Sequence, residues 1–242
     1  MTSVDIDFVR LPGAPETALR REDLATLPHS APGPPWRVRA HALIWAARAD
    51  ERARSAIQAL VPREVSAHAT PIATLGALIH YLDTPVGRYS EIIGAVVYRR
   101  GGTVFSHVPF IAVDSPVSVV GGRTNWALPK TLASFENQPA PGISMIATGG
   151  DWRVEATPTA TRFGVPLLVP GLLALVQLGP HHTVYSVRPS SYGMVRPARA
   201  DVRVSAASSL GGWFSSGMRP SVLGQLTMFL GPATKQTLPP PG

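Results

Sequence analysis

The sequence HVPFIAVDSPVSVVGGRTNWALPK, from His107 to Lys130, carries the most informative pattern of the chain. An apolar run leads to Asp114, a second apolar run leads to the glycine pair Gly121–Gly122, and Lys130 follows a proline. The first run has the length and the β-branched content of a strand. We therefore predict a strand over 103–113.

Further strands are predicted on both sides of this segment. Gly101–Gly102 and Gly149–Gly150 mark hairpin turns. The predicted strands do not alternate with helices, so a doubly wound parallel sheet is not expected. One helix is predicted to start after Asp50 and to end before Pro62, and another lies between 220 and 230. The additional strands cover 37–46, 72–82, 91–99, 143–147, 152–156, 159–163, 183–187 and 200–204. These elements predict an α+β, mostly antiparallel fold, with a curved or closed sheet and peripheral helices.

The chain length predicts a single main domain. Its 242 residues are 45% hydrophobic and 15% charged, a balance that favours a buried core. The proline-rich sequence SAPGPP at 30–35 resists both helix and sheet interior, and TLPPPG closes the chain. We predict an N-terminal arm at 1–35, one domain at 36–235 and a flexible tail at 236–242.

The composition argues against several classes of function. The chain has no cysteine, which excludes disulfides, thiolate metal sites and cysteine nucleophiles. Its net charge of +7 comes from scattered arginines without a recognisable motif, so no nucleic-acid partner is expected. The histidines lack the spacing of a metal site, so no metal is expected.

No membrane association is expected either. The start, MTSVDIDFVRLPG, has acidic residues where a signal peptide needs positive charge. The most apolar run, 163–179, is shorter than the roughly 20 residues of a membrane-spanning helix and contains Pro166 and Pro170. This run is interpreted as protein core or an interface between subunits, and the protein as cytoplasmic.

The two lysines stand out among the 22 basic residues, because the other 20 are arginines. An amine can be neutralised for chemistry, whereas a guanidinium stays charged. Lys235 lies in the polar, proline-rich end of the chain. Lys130 is therefore the lysine to consider for such chemistry, and the alternative is a solvent-exposed lysine after a proline turn.

The segment around Lys130 resembles the acetoacetate decarboxylase family. Members carry a strand that ends in an aspartate like Asp114, then Gly-Arg-Glu, and seven residues after the arginine a Pro-Lys-Lys whose first lysine is the nucleophile. Gly122–Arg123 and Pro129–Lys130 keep that spacing. Upstream, Tyr89–Ser90–Glu91 is similar to the family's Tyr-x-Glu, whose glutamate lies in the active site.

The resemblance implies a cone-like β-barrel enzyme that decarboxylates a small or medium 3-keto acid through an iminium on Lys130. Glu91 is the second implied catalytic residue. No cofactor is implied, because the iminium itself accepts the electrons, and a homo-oligomer is expected. The candidate substrate-binding residues are Arg123, Tyr89, Trp126 and Arg39, with Arg37 as the alternative to Arg39.

Three positions depart from the family pattern. Thr124 stands where the family usually has the glutamate after Gly-Arg, and Thr131 stands where it has the second lysine. Near Gly76 or Ala77 the family has a further acidic residue. The carry-over from the family is therefore partial.

The missing second lysine changes how Lys130 would be activated. An ordinary lysine has a pKa of about 10.4 and is almost entirely protonated at neutral pH. Without a neighbouring cation, desolvation must do more of the work, and Trp126, Leu128 and Leu132 are the candidate apolar wall.

These departures leave alternatives open. A Schiff base at Lys130 also supports aldol, retro-aldol or dehydration chemistry, and a non-catalytic barrel that binds a small molecule is a further possibility. Arg123 could instead bridge loops, for example to Asp114. Trp126 could serve packing alone, and either His80 or Tyr81 could line the cavity.

Overall fold

The computed structural model describes residues 8–207, 210–214 and 216–239, and within these ranges fourteen strands form one sheet. The strands are β1 (Trp36–Arg48), β2 (Thr70–Asp83), β3 (Tyr89–Arg100), β4 (Thr103–Val113), β5 (Lys130–Leu132), β6 (Ser134–Glu136), β7 (Met145–Thr148), β8 (Trp152–Ala160), β9 (Val165–Val169), β10 (Ala174–Gly179), β11 (Thr183–Val187), β12 (Ser190–Ala206), β13 (Gly217–Leu230) and β14 (Thr234–Thr237). The helices are α1 (Arg21–Thr26), α2 (Glu51–Leu60), α3 (Arg63–Ser66), α4 (Pro116–Trp126) and α5 (Leu210–Trp213).

The sheet is mostly antiparallel, as the sequence predicts. Its strands follow the order β14, β11, β10, β4, β3, β2, β1, β13, β12, β8, β7, β6. Off this path, β9 pairs with β12 and β5 pairs with β4. Parallel pairing joins β4 to β10 and to β5. The order has two ends, at β14 and β6, so the closed form of the predicted barrel remains a prediction.

Strands β3 and β4 and the central part of β2 are largely buried on both faces, in agreement with their nearly continuous apolar sequences. One face, with Leu78, Ile92 and Phe110, packs against α2 and α5. The other face, with Ile79 and Ile111, packs against α4. We call these two clusters the α2-side core and the α4-side core. Neighbouring apolar residues of these strands alternate between the two cores because successive side chains point to opposite faces.

Local signals place the helix ends. The Asp50 carboxylate accepts a hydrogen bond of 2.8 Å from the Ala53 backbone N–H, which caps α2 as predicted. Helix α4 begins with Ser115 as N-cap and Pro116 at its first position, a common helix start. The helix ends at Trp126, and the C-cap residue Ala127 adopts the left-handed conformation (φ 54°).

Two predicted elements are wrong. The segment predicted as a helix between 220 and 230 is part of β13, which pairs antiparallel with both β1 and β12. Pairing on both edges overrides the local preference of this segment. The predicted strand at 159–163 exists only as the end of β8, which stops at Ala160.

Described residues of the predicted arm and of the predicted tail contact the rest of the protein, while residues 1–7 lie outside the described part of the chain. In the arm, Ala14, Thr17 and Asp23 are buried, and the Ala14 N–H donates to the Pro109 carbonyl at 2.7 Å. At the other end, the predicted tail begins within β14, which pairs with β11 through Thr237. Residues 240–242 lie outside the described part of the chain.

The apolar run at 163–179 is only partly core. Leu175 and Leu178 are buried, whereas Phe163 is 79% exposed, and Leu168 and Leu172 are each 73% exposed. None of the described helices is long and apolar enough to span a membrane.

Candidate active site

The site is built where β5 joins β4 beneath α4. Lys130 pairs with Ile111, and Val113, two residues further along β4, pairs with Glu91 on β3. Glu91 lies between Ile92 and Ser90, and Ile92 faces the α2-side core. Strand alternation therefore turns Glu91 toward the α4-side core, where Lys130 is also found.

Lys130 and Glu91 form a buried ion pair. The lysine Nζ lies 2.5 Å from Glu91 Oε2, and it also donates to Ser118 Oγ at 2.9 Å. The two side chains are only 6% and 2% exposed. A buried pair of opposite charges is strongly coupled, since neither partner can turn to water if the other is lost.

Glycine at position 122 makes room for the lysine. A Cβ atom there would lie 2.5 Å from Lys130 Cδ and 2.7 Å from Cε. The absence of a side chain thus lets the lysine stem cross α4 at close range.

Two tyrosines complete the polar part of the site. Tyr81 OH donates to Glu91 Oε1 at 2.8 Å, and the Tyr89 ring centroid lies 5.4 Å from Lys130 Nζ. The two rings stack with centroids 4.4 Å apart. Burial raises the pKa of Tyr81 well above its ordinary value, and the Glu91 charge adds to this. The same two causes raise the pKa of Tyr89, against opposing hydrogen bonds to Ser118 and Tyr81. Both phenols therefore keep their protons at neutral pH.

These groups face a cavity of about 170 Å³. Its wall is otherwise apolar. The lining residues are Trp36, Val38, Ile79, Tyr81, Tyr89, Glu91, Ile93, Val108, Ile111, Trp126, Leu128, Lys130, Leu175, Pro189, Met228 and Leu230. An apolar cavity with a few convergent polar groups is the usual form of a small-molecule site, and this volume lies below the roughly 300–1,000 Å³ of pockets for drug-sized ligands.

A family model described as acetoacetate decarboxylase matches residues 24–151, just over half of the chain. The chain belongs to the acetoacetate decarboxylase family. The matched range contains Glu91, Lys130 and all of α4. No curated protein is similar enough in sequence to be matched.

Solved structures share the fold at low sequence identity. A solved acetoacetate decarboxylase superimposes with a TM-score of 0.63 at 14% identity, covering 90% of this chain and 98% of that one. An acetoacetate decarboxylase-like enzyme from Sphingomonas wittichii RW1 gives 0.61 at 16% identity, covering 86% and 94%. The enduracididine biosynthesis enzyme MppR, complexed with the condensation product of pyruvate and imidazole 4-carboxaldehyde, gives 0.59 at 13% identity, covering 84% and 90%.

Arg123 does not line the cavity, in contrast to the substrate-binding position expected from the family motif. Its Nε donates to the Lys130 carbonyl at 2.6 Å, and its other nitrogens donate to the carbonyls of Phe8, Val9 and Thr17 at 2.9–3.2 Å. Burial lowers its pKa to about 10. Arg123 thus ties the N-terminal arm to the backbone of the nucleophile. Asp114, the loop partner considered for it, instead accepts from the Ser90 N–H at 2.7 Å.

The proposed carboxylate-binding arginine at the start of the domain is also turned away. Trp36 and Val38 line the cavity, so alternation along β1 puts Arg37 and Arg39 on the opposite face, where both are exposed. Neither Arg37 nor Arg39 therefore lines this cavity, and a role for either in substrate binding stays a prediction. Trp126 does line it, while its Nε1 donates to the Gly231 carbonyl at 2.9 Å.

The departures from the family motif lie off the cavity wall. Thr124 donates to the Val120 carbonyl at 2.9 Å, one turn back along α4. Thr131 and Leu132 line a separate surface groove instead. A Cβ on Gly76 would overlap the Trp45 ring of the α2-side core, so this position points away from Lys130. Of the predicted apolar wall, Trp126 and Leu128 are in place and Leu132 is not.

Ser118 is the site residue that the sequence prediction missed, and Tyr81 was only half identified. The Ser115–Pro116 pair was the available signal for Ser118, since it marks a helix start and places Ser118 in the first turn. His80, the alternative to Tyr81, contacts Ser90 Oγ at 3.1 Å through Nδ1 and does not line the cavity. In the described part of the chain, no group of three or more His, Asp or Glu side chains is arranged to hold a metal ion.

Proposed function

We propose that this chain is a lyase that forms a Schiff base between Lys130 and a small carbonyl substrate. The observation that carries the proposal is the Lys130 amine, 2.5 Å from Glu91 on the wall of a buried apolar cavity. The reaction that the family suggests is decarboxylation of a small 3-keto acid. The cavity of about 170 Å³ favours a substrate of a few carbons.

The ion pair supplies a route to the neutral amine. Proton transfer from Lys130 Nζ to Glu91 Oε2 leaves an amine with a free electron pair and a carboxylic acid beside it. The amine attacks the substrate carbonyl carbon, and the acid returns its proton to the departing hydroxyl as water. The products are a protonated imine on Lys130 and the Glu91 carboxylate, which faces the new positive charge.

The iminium then accepts the electron pair of a breaking bond. In decarboxylation, the bond between the α-carbon and the carboxylate breaks, CO2 leaves and an enamine forms. Protonation of the enamine carbon and addition of water release the ketone. Tyr81 would keep Glu91 in place for these transfers, because its hydroxyl occupies the other carboxylate oxygen at 2.8 Å.

Aldol, retro-aldol or dehydration chemistry is the second candidate. One observation favours it: among the described lining residues there is no arginine to bind the carboxylate that a decarboxylase substrate must carry, whereas aldol and retro-aldol substrates can be uncharged. The structurally similar MppR complex holds a condensation product of pyruvate and an aldehyde, which is the type of compound that such chemistry makes.

Borohydride trapping separates these functions. The protein is incubated with acetoacetate, pyruvate or longer 3-keto acids, reduced, and weighed by mass spectrometry. A Schiff-base enzyme gives a covalent adduct, whereas a barrel that only binds small molecules gives none with any carbonyl compound. Release of CO2 from the same incubation then identifies a decarboxylase, and its absence beside an adduct favours aldol or dehydration chemistry.

We also propose that the protein is a cytoplasmic homo-oligomer. The exposed leucines Leu168 and Leu172 and the neighbouring Phe163 lie on or beside β9, which pairs only with β12 in the described sheet. An apolar edge of this kind is usually covered by another chain. Sedimentation analysis of the purified protein tests this, and a monomer at all concentrations would contradict it.

A further inference from the structure

We infer that the cavity at Lys130 selects uncharged ketones and aldehydes over keto acids of the same size. This inference rests on the proposed Schiff-base function and names the substrate class of that site. Of the two candidate reactions, it favours aldol or dehydration chemistry on uncharged carbonyl compounds over decarboxylation, whose substrates must carry a carboxylate. It follows from the count of charges on the cavity wall.

Among the described lining residues there is one positive and one negative charge, and these two charges neutralise each other. Lys130 and Glu91 are paired at 2.5 Å, and each is almost fully buried. Tyr81 and Tyr89 add hydroxyl groups but no charge, because burial keeps both phenols protonated. The other lining residues are apolar.

The arginines nearest to the wall in sequence cannot supply a further positive charge. Arg37 and Arg39 flank Val38 but are exposed on the other face of β1. Arg188, which precedes the lining residue Pro189, is exposed and directs its Nη1 toward the Gly171 and Leu172 carbonyls at 3.4 Å. Arg123 is committed to backbone carbonyls.

A keto acid would therefore bring an unpaired negative charge into an apolar cavity. Lysine ammonium and ketone combine into iminium and water without a change of charge, so the iminium remains balanced by Glu91. A carboxylate on the substrate is then in excess, and it lies near the like charge of Glu91. Burial of an unpaired ion is strongly unfavourable. An uncharged ketone leaves the site neutral at every stage up to the iminium.

A pair of compounds with the same number of non-hydrogen atoms tests this selection. Acetoacetate and 4-methyl-2-pentanone share the methyl ketone, and two methyl groups in the second compound replace the two carboxylate oxygens of the first. The full chain is titrated with each compound at neutral pH, reduced with borohydride, and the fraction with an adduct at Lys130 is measured. We expect the ketone to reach half-maximal trapping at a concentration at least about tenfold lower than acetoacetate.

Equal trapping, or better trapping of acetoacetate, would overturn the inference and leave the Schiff-base function standing. An absence of adduct at Lys130 with either compound would overturn the proposed function, and the inference with it. The three results are therefore distinguishable in one experiment.

A positive charge placed in the wall should reverse the preference. Met228 lines the cavity and is half-buried, so Met228→Arg can reach the cavity while its stem packs against apolar neighbours. Met218→Arg is the matched control, because Met218 lies on the same strand, is 51% exposed and does not line the cavity. We expect Met228→Arg alone to improve trapping of acetoacetate relative to the ketone. An unchanged ratio in Met228→Arg would contradict selection by charge.

Discussion

The two lysines of the chain have similar aromatic neighbours and opposite surroundings. Lys130 Nζ lies 5.4 Å from the centroid of the Tyr89 ring, and Lys235 Nζ lies 4.8 Å from that of Tyr185. Lys235 is exposed on β14, at one end of the strand order. Lys130 is buried, paired with a carboxylate and open to a cavity. Both lysines thus lie near an aromatic ring. Lys130 differs from Lys235 because it is buried and paired with Glu91.

Replacement of each lysine by methionine gives the largest expected difference between these regions. Lys130→Met should lose all protein-dependent exchange of deuterium from solvent into the methyl groups of acetone, because this exchange requires an iminium and its enamine. Proton NMR of acetone in deuterated buffer measures the rate. Lys235→Met is the control and should exchange at the wild-type rate. Equal loss in both variants would contradict the assignment.

Removal of the carboxylate tests how far Lys130 depends on its pair. Glu91→Gln leaves a buried ammonium without a counter-charge, and we expect the free energy of unfolding to fall by about 3–5 kcal/mol. Urea denaturation measures it. The double variant Lys130→Met with Glu91→Gln removes both charges and should be more stable than Glu91→Gln alone. A double variant that loses the sum of the two single effects would show that the pair is not coupled.

A buried ionisable group without a counter-charge extends the comparison. His107 is fully buried, its Nδ1 contacts the Val176 carbonyl at 2.9 Å, and burial lowers its pKa to about 4. Below pH 6.5 the unfolded chain takes up a proton that the folded chain refuses, so His107 makes stability fall between pH 6.5 and pH 4. The loss should reach about 3 kcal/mol, with no further contribution at lower pH.

The variant His107→Gln keeps an amide donor for Val176 and cannot titrate. Urea midpoints of both proteins at pH 7 and at pH 4.5 should therefore converge as the pH falls. A wild-type protein that loses no more stability than the variant on acidification would contradict the depressed pKa.

The smallest of these effects concerns the hydroxyl that fixes Glu91. Tyr81→Phe removes the 2.8 Å hydrogen bond to Oε1 and keeps the ring that stacks on Tyr89. We expect a loss of about 2 kcal/mol in unfolding free energy and slower iminium trapping. Tyr185→Phe, at the other lysine, is the matched control and should trap at the wild-type rate. Slower trapping in both would indicate a general effect of packing.

The sequence predicts those parts of the fold that depend on neighbouring residues. The glycine turn between β3 and β4 and the Asp50 cap of α2 are examples, since each is determined within a few residues. β13 was mistaken for a helix because its pairing depends on distant strands. A Cβ on Gly224 would collide with the backbone of β12, so this glycine serves close strand packing that only the assembled sheet reveals.

The sequence predicts the identity of the two central site residues, but it does not predict which of the neighbouring side chains point into the cavity. Lys130 and Glu91 are implied by the resemblance of their segments to the family's motifs, and the structure brings them together. The direction of Arg39 depends on the phase of β1, and the bulk of Trp36 and Val38 at alternate positions was the signal for it. A loop-bridging role for Arg123 was one of the alternatives, but its partners Phe8 and Thr17 could not be predicted because they are more than a hundred residues away in sequence.

The most direct test of the account is to locate the adduct in the wild-type protein. The chain is incubated with acetone, reduced with borohydride, digested, and the two lysine-containing peptides are sequenced by tandem mass spectrometry. The account predicts an isopropyl group on Lys130 and an unmodified Lys235. Modification of Lys235 with Lys130 left intact would contradict it.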